Sequence, residues 1–316
     1  MKIIVTDTET ITDGDLSLEP VEQFGELICR DLTVYDQIAE QVKDADMILC
    51  NKTPMNAQTL SKAEHLKYIG LFATGYNNVD LAYCRERGIT VCNAGSYSAS
   101  AVAQHTFALI LEHFSKIGEY SAYVEDGGWT QSATFSKFIY PTQELYGKII
   151  GLVGFGAIAQ AAAQIALAFG MKVLCYTRSP KTHDNVLFVS FEELLAKSDI
   201  ISVHCPLNDD SKNMFDAQAF KKCKDGVFFV NTARGAIVDE EALLHALESG
   251  KLSGAGIDVL RKEPMRSDCP LLGAPNIIIT PHVAWAPMET RRRLLKTVLS
   301  NIRAFLDGMP QNVVTG

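Results

Sequence analysis

The chain has 316 residues, of which 47% are hydrophobic and 21% are charged, and its formal net charge at pH 7 is −8. That length is sufficient for two domains, each with its own core, and the composition excludes a disordered or collagen-like chain. The negative charge argues against a general binder of nucleic acid or of anionic membranes, whereas an anionic small ligand would respond to local charge.

The first part of the chain alternates short apolar runs with helical patterns, which predicts an α/β domain with a mostly parallel sheet. Strands are predicted at residues 2–7, 32–36, 47–51, 68–74 and 89–93, and helices at 35–45 and 80–88. Residues 99–113, ASAVAQHTFALILEH, are apolar enough to predict a long and mostly buried helix. This helix either belongs to the core of its own chain or packs against a second copy.

A second α/β series begins at Lys148. Strands are predicted at 148–153, 172–177, 199–205, 226–232, 253–259 and 276–280, with helices at 157–170, 191–198 and 239–250. Six strands joined by crossovers predict one doubly wound sheet. A last helix at 288–307 places apolar residues on one face and stops before Gly308, and no flexible linker is predicted between the two series.

The eight cysteines are scattered, form no C-x-x-C pair, and several lie within predicted strands. This pattern predicts buried free thiols in a reducing compartment, and neither a disulfide framework nor a metal site. The amino terminus enters a strand almost at once and lacks the apolar region and cleavage site of a signal peptide. No uncharged apolar run approaches the roughly 18 residues of a membrane span. A cytoplasmic location is therefore expected.

A glycine-rich turn follows the predicted strand at 148–153. Gly154, Gly156 and Ala159 meet the spacing G-x-G-x-x-A of a turn that binds dinucleotides and opens a helix. The first glycine permits a tight turn, the second lets the backbone approach a pyrophosphate, and the small third residue lets helix and strand pack closely. Because a strand precedes the turn and another follows at the expected interval, we predict a dinucleotide site here.

The residues that would contact the adenosine ribose follow the next predicted strand. NAD enzymes usually carry Asp or Glu there, whereas this chain has Thr177, then Arg178, Ser179 and Lys181. An arginine beside hydroxyl groups suits the 2′-phosphate of NADP, which favours NADP slightly over NAD. The alternative is an NAD enzyme in which Arg178 stacks on the adenine.

Arg234, Glu263 and His282 follow the last three predicted strands. In open α/β sheets, ligands bind at the carboxyl ends of the strands. A guanidinium can hold the carboxylate of a 2-keto acid, an imidazolium can donate the proton, and a glutamate beside the imidazole orients it and favours its charged form. Each residue alone has a bland explanation, such as a loop salt bridge for Glu263. Together, beside a dinucleotide turn, they predict hydride transfer to a keto acid.

At these residues the chain resembles the D-isomer-specific 2-hydroxyacid dehydrogenase family, over essentially its whole length. The segments NTARGAIVDEEAL, GAGIDVLRKEP and TPHVAWAP are similar to the Arg, Glu and His motifs of that family. The resemblance implies a Rossmann nucleotide domain, residues 99–285, inserted in a flavodoxin-like substrate domain, residues 1–98 and 286–316. It also implies an active site in the cleft between the domains, and a homodimer.

The resemblance implies roles for individual residues. Catalysis is assigned to Arg234, Glu263 and His282, and substrate binding to Lys52, Thr74, Gly75, Arg234 and Trp285. Cofactor binding is assigned to Gly154, Gly156, Ala157, Ile158, Thr177, Arg178, Ser179, Cys205, Pro206, Thr232, Ala233, Asp258 and Ala284. Two positions depart from the family pattern: Ala159 replaces the usual third glycine, and Thr177 replaces the usual aspartate.

Within the family, NKTP at 51–54, HVAWAPMETRRRL and the ending MPQNVV are most similar to glycerate dehydrogenases, also called hydroxypyruvate reductases. We therefore predict hydride transfer between a nicotinamide cofactor and a small D-2-hydroxy acid or 2-keto acid, with glycerate and hydroxypyruvate as the first candidates. Trp285 would then wall the pocket against a hydroxymethyl side chain. A glyoxylate reductase or broader 2-ketoacid reductase is an alternative, and a non-catalytic dinucleotide-sensing protein is the alternative from another class. A formate dehydrogenase would need Gln in place of Glu263.

Overall fold

The structure, a computed structural model, describes residues 1–179 and 182–315. The chain forms two compact units. The split unit consists of the residues up to Ser98 together with those from Ala286 onward, and the central unit is Ala99–Trp285. Lys181, which the sequence analysis assigned to the ribose region, lies outside the described residues.

The split unit contains a five-stranded parallel sheet. Its strands are β1 Lys2–Val5, β2 Glu26–Cys29, β3 Met47–Cys50, β4 Tyr68–Leu71 and β5 Thr90–Cys92, in the order β2-β1-β3-β4-β5. Its helices are α1 Ile38–Gln41, α2 Leu81–Glu86 and α9 Met288–Leu306, with 3-10 turns at Thr8–Thr10, Glu19–Phe24 and Tyr35–Gln37. This strand order is that of flavodoxin-like folds.

The sheet of the split unit is buried on both faces, because every residue of β3 and β4 is buried. Ile48 and Ile69 belong to the apolar cluster that also contains Ile38 of α1 and Cys84 of α2. The opposite face carries Tyr68, whose ring centroid lies 4.8 Å from that of Phe305 in α9. Helices on both faces of a parallel sheet account for the uninterrupted apolar runs of these strands.

The central unit contains a seven-stranded parallel sheet. Its strands are β6 Ile149–Val153, β7 Lys172–Tyr176, β8 Val186–Phe188, β9 Ile200–Val203, β10 Val227–Asn231, β11 Leu252–Ile257 and β12 Ile277–Ile279, in the order β12-β11-β10-β9-β6-β7-β8. Its helices are α3 Ala99–Ser115, α4 Ile117–Glu125, α5 Ala157–Ala168, α6 Phe191–Lys197, α7 Ala217–Lys222 and α8 Glu240–Glu248, with a 3-10 turn at Gly235–Ile237. The order reverses between β6 and β9, which is where Rossmann folds bind dinucleotides. The predicted fold class, two doubly wound parallel sheets, is confirmed.

Strand β10 shows why the central sheet reads as a buried apolar run. Val227 and Phe229 belong to the cluster that includes residues of α6, α7 and α8. Phe228 and Val230 belong to the cluster that includes residues of α3 and α5. Side chains alternate across a strand, so each face of β10 supplies one of these two cores. The two cores thereby fix the position of the end of β10 and of the residues that follow it.

Two sequence predictions about strands are wrong. The strand expected at 32–36 does not form, since its side chains Leu32, Val34 and Tyr35 are exposed and Tyr35–Gln37 is a 3-10 turn. The true edge strand is Glu26–Cys29, in which Glu26 and Cys29 are exposed, Leu27 and Ile28 are half-buried, and the apolar run is only three residues long. The central sheet has seven strands where six were predicted, because the short edge strand Val186–Phe188 was overlooked.

All eight cysteines are free thiols, as predicted. Those buried are Cys50, Cys84, Cys92, Cys175 and Cys223, whereas Cys29 is exposed. Burial raises the pKa of the Cys223 thiol to about 12. Among residues 1–179 and 182–315, no helix is both long and apolar enough to cross a bilayer, and no cluster of His, Cys, Asp or Glu could hold a metal ion.

A half-buried histidine, His113, should make the stability of the central unit fall in acid. The ring of His113 stacks on Phe228 with centroids 4.1 Å apart, and its Nε2 lies 3.1 Å from Ser253 Oγ. Burial lowers the pKa of His113 from 6.5 to about 4. Between these pH values the unfolded chain binds more protons than the folded chain, so stability is lost as pH falls through this window.

His113→Phe keeps an aromatic ring on Phe228 and removes this titration. We expect the loss of unfolding free energy between pH 7 and about pH 4.5 to be smaller in the variant by about 1–3 kcal/mol. Urea denaturation at the two pH values measures it for both proteins. An equal pH dependence in the two proteins would contradict a lowered pKa of His113 in the folded chain.

Candidate active site

The glycine-rich turn after β6 is built for a close approach between backbone segments. Gly154 has φ +96°, and its N–H donates to the Tyr176 carbonyl at 2.8 Å. A Cβ at Gly154 would lie 2.8 Å from the backbone nitrogen of Cys205. A side chain at Gly156, in contrast, would meet no atom within 4 Å. Gly154 is therefore required by the fold, whereas Gly156 leaves open space where a ligand's pyrophosphate could approach.

Helix α5 begins at this turn without a side-chain cap. Gly156 is its N-cap residue, whereas α6, α7 and α8 are capped by Ser190, Asp216 and Asp239, whose side chains accept backbone N–H groups. The first N–H groups of a helix have no partner within the helix, and together with the helix dipole they favour an anion. Ala159 is fully buried, so the third position of the motif packs as predicted. These features fit the pyrophosphate of a dinucleotide.

The predicted adenosine residues lie at the ends of β7 and β9, on either side of β6. Thr177 is partly buried, and Arg178 and Ser179 are exposed. The Arg178 Nη1 donates to Asp210 Oδ2 at 2.8 Å. Cys205 is partly buried, and burial raises the pKa of its thiol to about 11. The thiol is therefore neutral at physiological pH.

His282 and Glu263 form a hydrogen-bonded pair. The distance from His282 Nδ1 to Glu263 Oε2 is 2.7 Å, and the other carboxylate oxygen accepts the N–H of Leu260 at 3.0 Å. A carboxylate can only accept, so Nδ1 carries the hydrogen and Nε2 is the nitrogen left to exchange a proton with a ligand. The side chains are 23% and 35% exposed, so a small ligand can reach them.

The loop that carries His282 is held by Asp258, which was predicted to contact the cofactor. The Asp258 carboxylate is fully buried and accepts from Thr280 Oγ1 at 2.6 Å and from the backbone N–H groups of Val283 and Ala284 at 2.9 and 3.0 Å. His282 itself has φ +57°, a left-handed conformation that is uncommon for residues other than glycine. Asp258 stabilises the turn in which that conformation occurs.

Arg234 directly precedes a glycine that lets two loops touch. Its Nη1 donates to the Ala233 carbonyl at 2.7 Å, and its own carbonyl accepts from Asn231 Nδ2 at 2.9 Å. A Cβ at Gly235 would lie 1.9 Å from the Leu260 carbonyl carbon. The Arg234 loop thus rests on the backbone that leads to Glu263. Arg234, Glu263 and His282 follow β10, β11 and β12, which are neighbours in the sheet.

The remaining predicted residues of the central unit follow strands β6, β9, β10 and β12. Thr232 is buried, with its Oγ1 3.1 Å from Thr106 Oγ1. Ala233 is partly buried, and its N–H donates to Asn231 Oδ1 at 3.0 Å. Ala284 is buried and Trp285 is partly buried. At the start of α5, directly after the glycine-rich turn, Ala157 is exposed and Ile158 is partly buried. Pro206, in the loop after β9, is exposed.

The substrate residues predicted in the split unit follow two adjacent strands. Lys52 comes after β3, and Thr74 and Gly75 come after β4. The backbone N–H groups of Asn51, Lys52 and Thr53 donate to the carboxylate of Asp7, a residue only 2% exposed. The Lys52 side chain is exposed at this end of the sheet.

Comparison with known proteins identifies the family. Residues 107–284 match the description "D-isomer specific 2-hydroxyacid dehydrogenase, NAD binding domain". A hydroxypyruvate reductase of Blautia hydrogenotrophica is 41% identical over 99% of each chain, and a glycerate dehydrogenase of Methylorubrum extorquens is 40% identical over 88% of each chain. The chain belongs to the D-isomer-specific 2-hydroxyacid dehydrogenases. It is an NAD(P)-dependent oxidoreductase, and the resemblance noted in its sequence is confirmed.

This dehydrogenase is also similar to a protein whose structure was determined with a cofactor bound. An acyclic imino acid reductase, determined with NADPH and D-Arg, superposes with a TM-score of 0.88 at 30% identity, covering 99% of this chain and 100% of the other. The family description names NAD and this neighbour binds NADPH. The dehydrogenase therefore uses a nicotinamide cofactor.

The sequence analysis missed two residues of the dehydrogenase that hydrogen-bond to segments carrying predicted site residues, namely Asp7 and His105. The sequence did point to Asp7, because it is the last residue of the predicted strand KIIVTD. Parallel sheets bind ligands at the carboxyl ends of their strands, which is where Asp7 lies. His105 lies within an apolar helix, and its Nε2 is 2.9 Å from Thr280 Oγ1, which in turn donates to Asp258. A single histidine in such a helix gives no sequence signal for this long-range contact.

Gly235→Ala should damage the dehydrogenase severely, because the new methyl group would overlap the Leu260 backbone. Either the Arg234 loop or the Glu263 loop must move, and a displacement of about 1 Å can cost about 100-fold in rate. We expect kcat/KM to fall at least about 100-fold. Gly156→Ala is the matched control: its methyl group has open space, so its thermal stability should stay at the wild-type value. A Gly235→Ala enzyme with wild-type kinetics would refute the close contact.

Proposed function

We propose that this dehydrogenase reduces hydroxypyruvate to D-glycerate and catalyses the reverse oxidation. The observation that carries the proposal is the His282–Glu263 pair, held beside Arg234 at adjacent strand ends of a dinucleotide-binding sheet. The relatives named hydroxypyruvate reductase and glycerate dehydrogenase support this choice of substrate. Trp285 would limit the pocket to a small side chain.

The proposed mechanism assigns one task to each side chain. The Arg234 guanidinium binds the substrate carboxylate through paired hydrogen bonds and polarises the adjacent carbonyl. His282 Nε2 donates a proton to the carbonyl oxygen during reduction and accepts it during oxidation. Glu263 orients the imidazole and stabilises its charged form. The nicotinamide cofactor supplies or accepts the hydride when bound.

We propose that the split unit binds substrate and the central unit binds the cofactor. Within the split unit, Lys52 and the backbone N–H groups of Thr74 and Gly75 would bind the substrate carboxylate, since a cation and main-chain N–H groups suit an anion. Asp7 would support this role by ordering the 51–53 turn. Lys52→Ala should raise the KM of the keto acid, which steady-state kinetics measures.

The cofactor preference proposed is NADP slightly over NAD. Thr177 stands where an acid would select the 2′-hydroxyl of NAD, and Arg178 and Ser179 offer a guanidinium and a hydroxyl to a 2′-phosphate. The turn around Gly154 and Gly156 would hold the pyrophosphate of either cofactor. A cytoplasmic location is also proposed, because the eight cysteines are free thiols.

A kinetic panel tests the substrate. Hydroxypyruvate, glyoxylate and pyruvate are each assayed with NADH and NADPH, and kcat/KM is compared. We expect hydroxypyruvate to give the highest value. A higher value for glyoxylate, or equal values for all three, would support the glyoxylate or broad 2-ketoacid reductase instead. A lack of turnover with both cofactors would favour a dinucleotide-sensing protein.

Glu263→Gln tests the proton-transfer pair. The amide oxygen can still accept from Nδ1, but the negative charge that favours the imidazolium is gone. Reduction needs the protonated imidazole, so the alkaline limb of its pH–rate profile should move to lower pH, by about one unit if the pair contributes ~1.4 kcal/mol. The acid limb of the oxidation profile should move the same way. If neither limb moves, Glu263 is not the partner that sets the charge of His282.

We propose that the dehydrogenase is a homodimer. Helix α3 packs its buried face into the core of its own chain, through residues such as Phe107 and Phe114. The segment at 117–146 instead exposes large aromatic side chains, with Phe135 and Phe138 at 92% and 89% exposure, which is typical of a surface covered by a partner. Phe135→Ser with Phe138→Ser should convert a dimer to a monomer in sedimentation experiments. A wild-type chain that sediments as a monomer would contradict the proposal.

A further inference from the structure

An ion pair joins the two loops that flank the adenosine region. Arg178 follows β7, and its Nη1 donates to Oδ2 of Asp210, in the loop after β9, at 2.8 Å. The two side chains are 65% and 69% exposed. Because β7 and β9 are the two neighbours of β6, the pair spans the strand ends on either side of the glycine turn. A cofactor bound at that turn would place its adenosine half next to this pair.

Asp210 is the fixed member of the pair. The side chain of Asn208 accepts the backbone N–H groups of Asp210 and Ser211 at 3.1 and 3.0 Å. Ser211, only 3% exposed, donates its hydroxyl to the Pro206 carbonyl at 2.7 Å. The turn that carries Asp210 is thus tied down by three side-chain hydrogen bonds. Arg178, on a long and exposed side chain, is the member that can exchange partners.

The Arg178 charge reaches the predicted adenosine side of the sheet. Burial raises the pKa of the Cys205 thiol, and the positive charge of Arg178 opposes that increase. The guanidinium therefore acts electrostatically on Cys205 as well as on Asp210. A ligand phosphate bound near Cys205 would compete with Asp210 for the same cation.

We propose that Asp210 is a specificity-determining residue for the cofactor, because its carboxylate holds and neutralises Arg178 and so weakens the preference for a 2′-phosphate. This inference rests on the proposed function, since it needs a nicotinamide dinucleotide at the glycine turn. A 2′-phosphate carries about two negative charges and must share Arg178 with Asp210 or displace it. A 2′-hydroxyl leaves the pair intact. Exposed ion pairs are weak, so exchange is possible and the enzyme should accept both cofactors.

A carboxylate at Asp210 would let the chain lack an acid at the ribose position without becoming strictly NADP-dependent. Thr177 removes the carboxylate that would repel a 2′-phosphate from the end of β7. Asp210 restores a negative charge from the neighbouring loop, at its contact with Arg178, the guanidinium that would favour the phosphate. The balance between these two charges would then set the ratio in which the cofactors are used.

Calorimetric binding of two adenosine fragments tests the inference without turnover. Adenosine 2′,5′-bisphosphate and adenosine 5′-monophosphate are titrated into wild type, Asp210→Asn, Arg178→Ala and the double variant. Asp210→Asn should raise the affinity ratio of bisphosphate to monophosphate about three- to tenfold. Asp209→Asn, which removes the same charge from the adjacent exposed residue, should leave the ratio within about twofold. In the Arg178→Ala background the effect of Asp210→Asn should disappear.

Two results would overturn the role of Asp210. One is an unchanged ratio in Asp210→Asn, and the other is an effect of full size in the Arg178→Ala background. The kcat/KM ratio of NADPH to NADH, measured with hydroxypyruvate on the same proteins, should follow the fragment ratio. If the enzymes turn over while both ratios stay constant, the inference on Asp210 fails and the proposed function stands. If no variant or wild-type protein turns over with either cofactor, the proposed function fails.

Discussion

His282→Asn is expected to lower kcat for keto-acid reduction and for hydroxy-acid oxidation by roughly 10²- to 10⁴-fold, the usual contribution of a general acid or base. The variant lacks the imidazole and with it the Nε2 atom that would donate the proton to the carbonyl oxygen. Asparagine is preferred to alanine because His282 has φ +57°, and Asn tolerates this left-handed conformation better than other residues. His282→Ala should lose at least as much activity and some stability in addition.

The control for His282→Asn is the cofactor affinity, followed by the fluorescence of the reduced nicotinamide. It should remain close to the wild-type value, because His282 is assigned to the substrate and not to the cofactor. Wild-type kcat in either direction would contradict the assignment of His282 as the proton donor and acceptor. A parallel loss of cofactor binding would indicate instead that the turn at 280–284 had collapsed.

Arg234→Ala should lower kcat/KM for the keto acid by roughly 10²- to 10⁴-fold. Two charge-assisted hydrogen bonds to a carboxylate are each worth about 1.5–3 kcal/mol, and about 1.4 kcal/mol corresponds to a factor of ten. Arg234→Lys keeps the charge but cannot form the planar two-pronged contact, so it should still lose at least about tenfold. The graded loss separates the charge of Arg234 from its geometry.

Steady-state kinetics of the two Arg234 variants, with hydroxypyruvate varied at saturating cofactor, measure this effect. The KM of the cofactor should change little in both. Wild-type values of kcat/KM in Arg234→Lys would mean that a point charge is sufficient, and wild-type values in Arg234→Ala would remove Arg234 from the substrate site. Thermal unfolding should be measured alongside, since Arg234 also donates to the Ala233 carbonyl.

The positions of Arg234, Glu263 and His282 at neighbouring strand ends could be predicted from the sequence, because buried parallel strands are easy to recognise. Strand β10 is an unbroken apolar run whose faces supply two cores, so the residue that follows it falls at a defined edge of the sheet. The spacing of Gly154 and Gly156 predicted the turn between β6 and α5 for a similar reason. In both cases a buried strand fixes the position and a polar or glycine residue breaks the pattern.

The parts that were missed depend on contacts between residues distant in sequence. Asp258 was expected only at the cofactor, yet its buried carboxylate holds the loop of His282 through Thr280, Val283 and Ala284. The edge strand Glu26–Cys29 was missed because its apolar run is only three residues long and its two ends are exposed. Residues 32–36 were misassigned because Leu32, Val34 and Tyr35 are apolar although they are exposed. The pairing of Arg178 with Asp210 brings two loops together that no local pattern connects.

The most direct test of the account is the identity of the product. Hydroxypyruvate is incubated with the purified enzyme and NADH or NADPH, cofactor oxidation is followed by absorbance, and the configuration of the glycerate formed is determined. We expect D-glycerate in an amount equal to the cofactor oxidised. Formation of L-glycerate, or no oxidation of either cofactor in the presence of hydroxypyruvate, would contradict it.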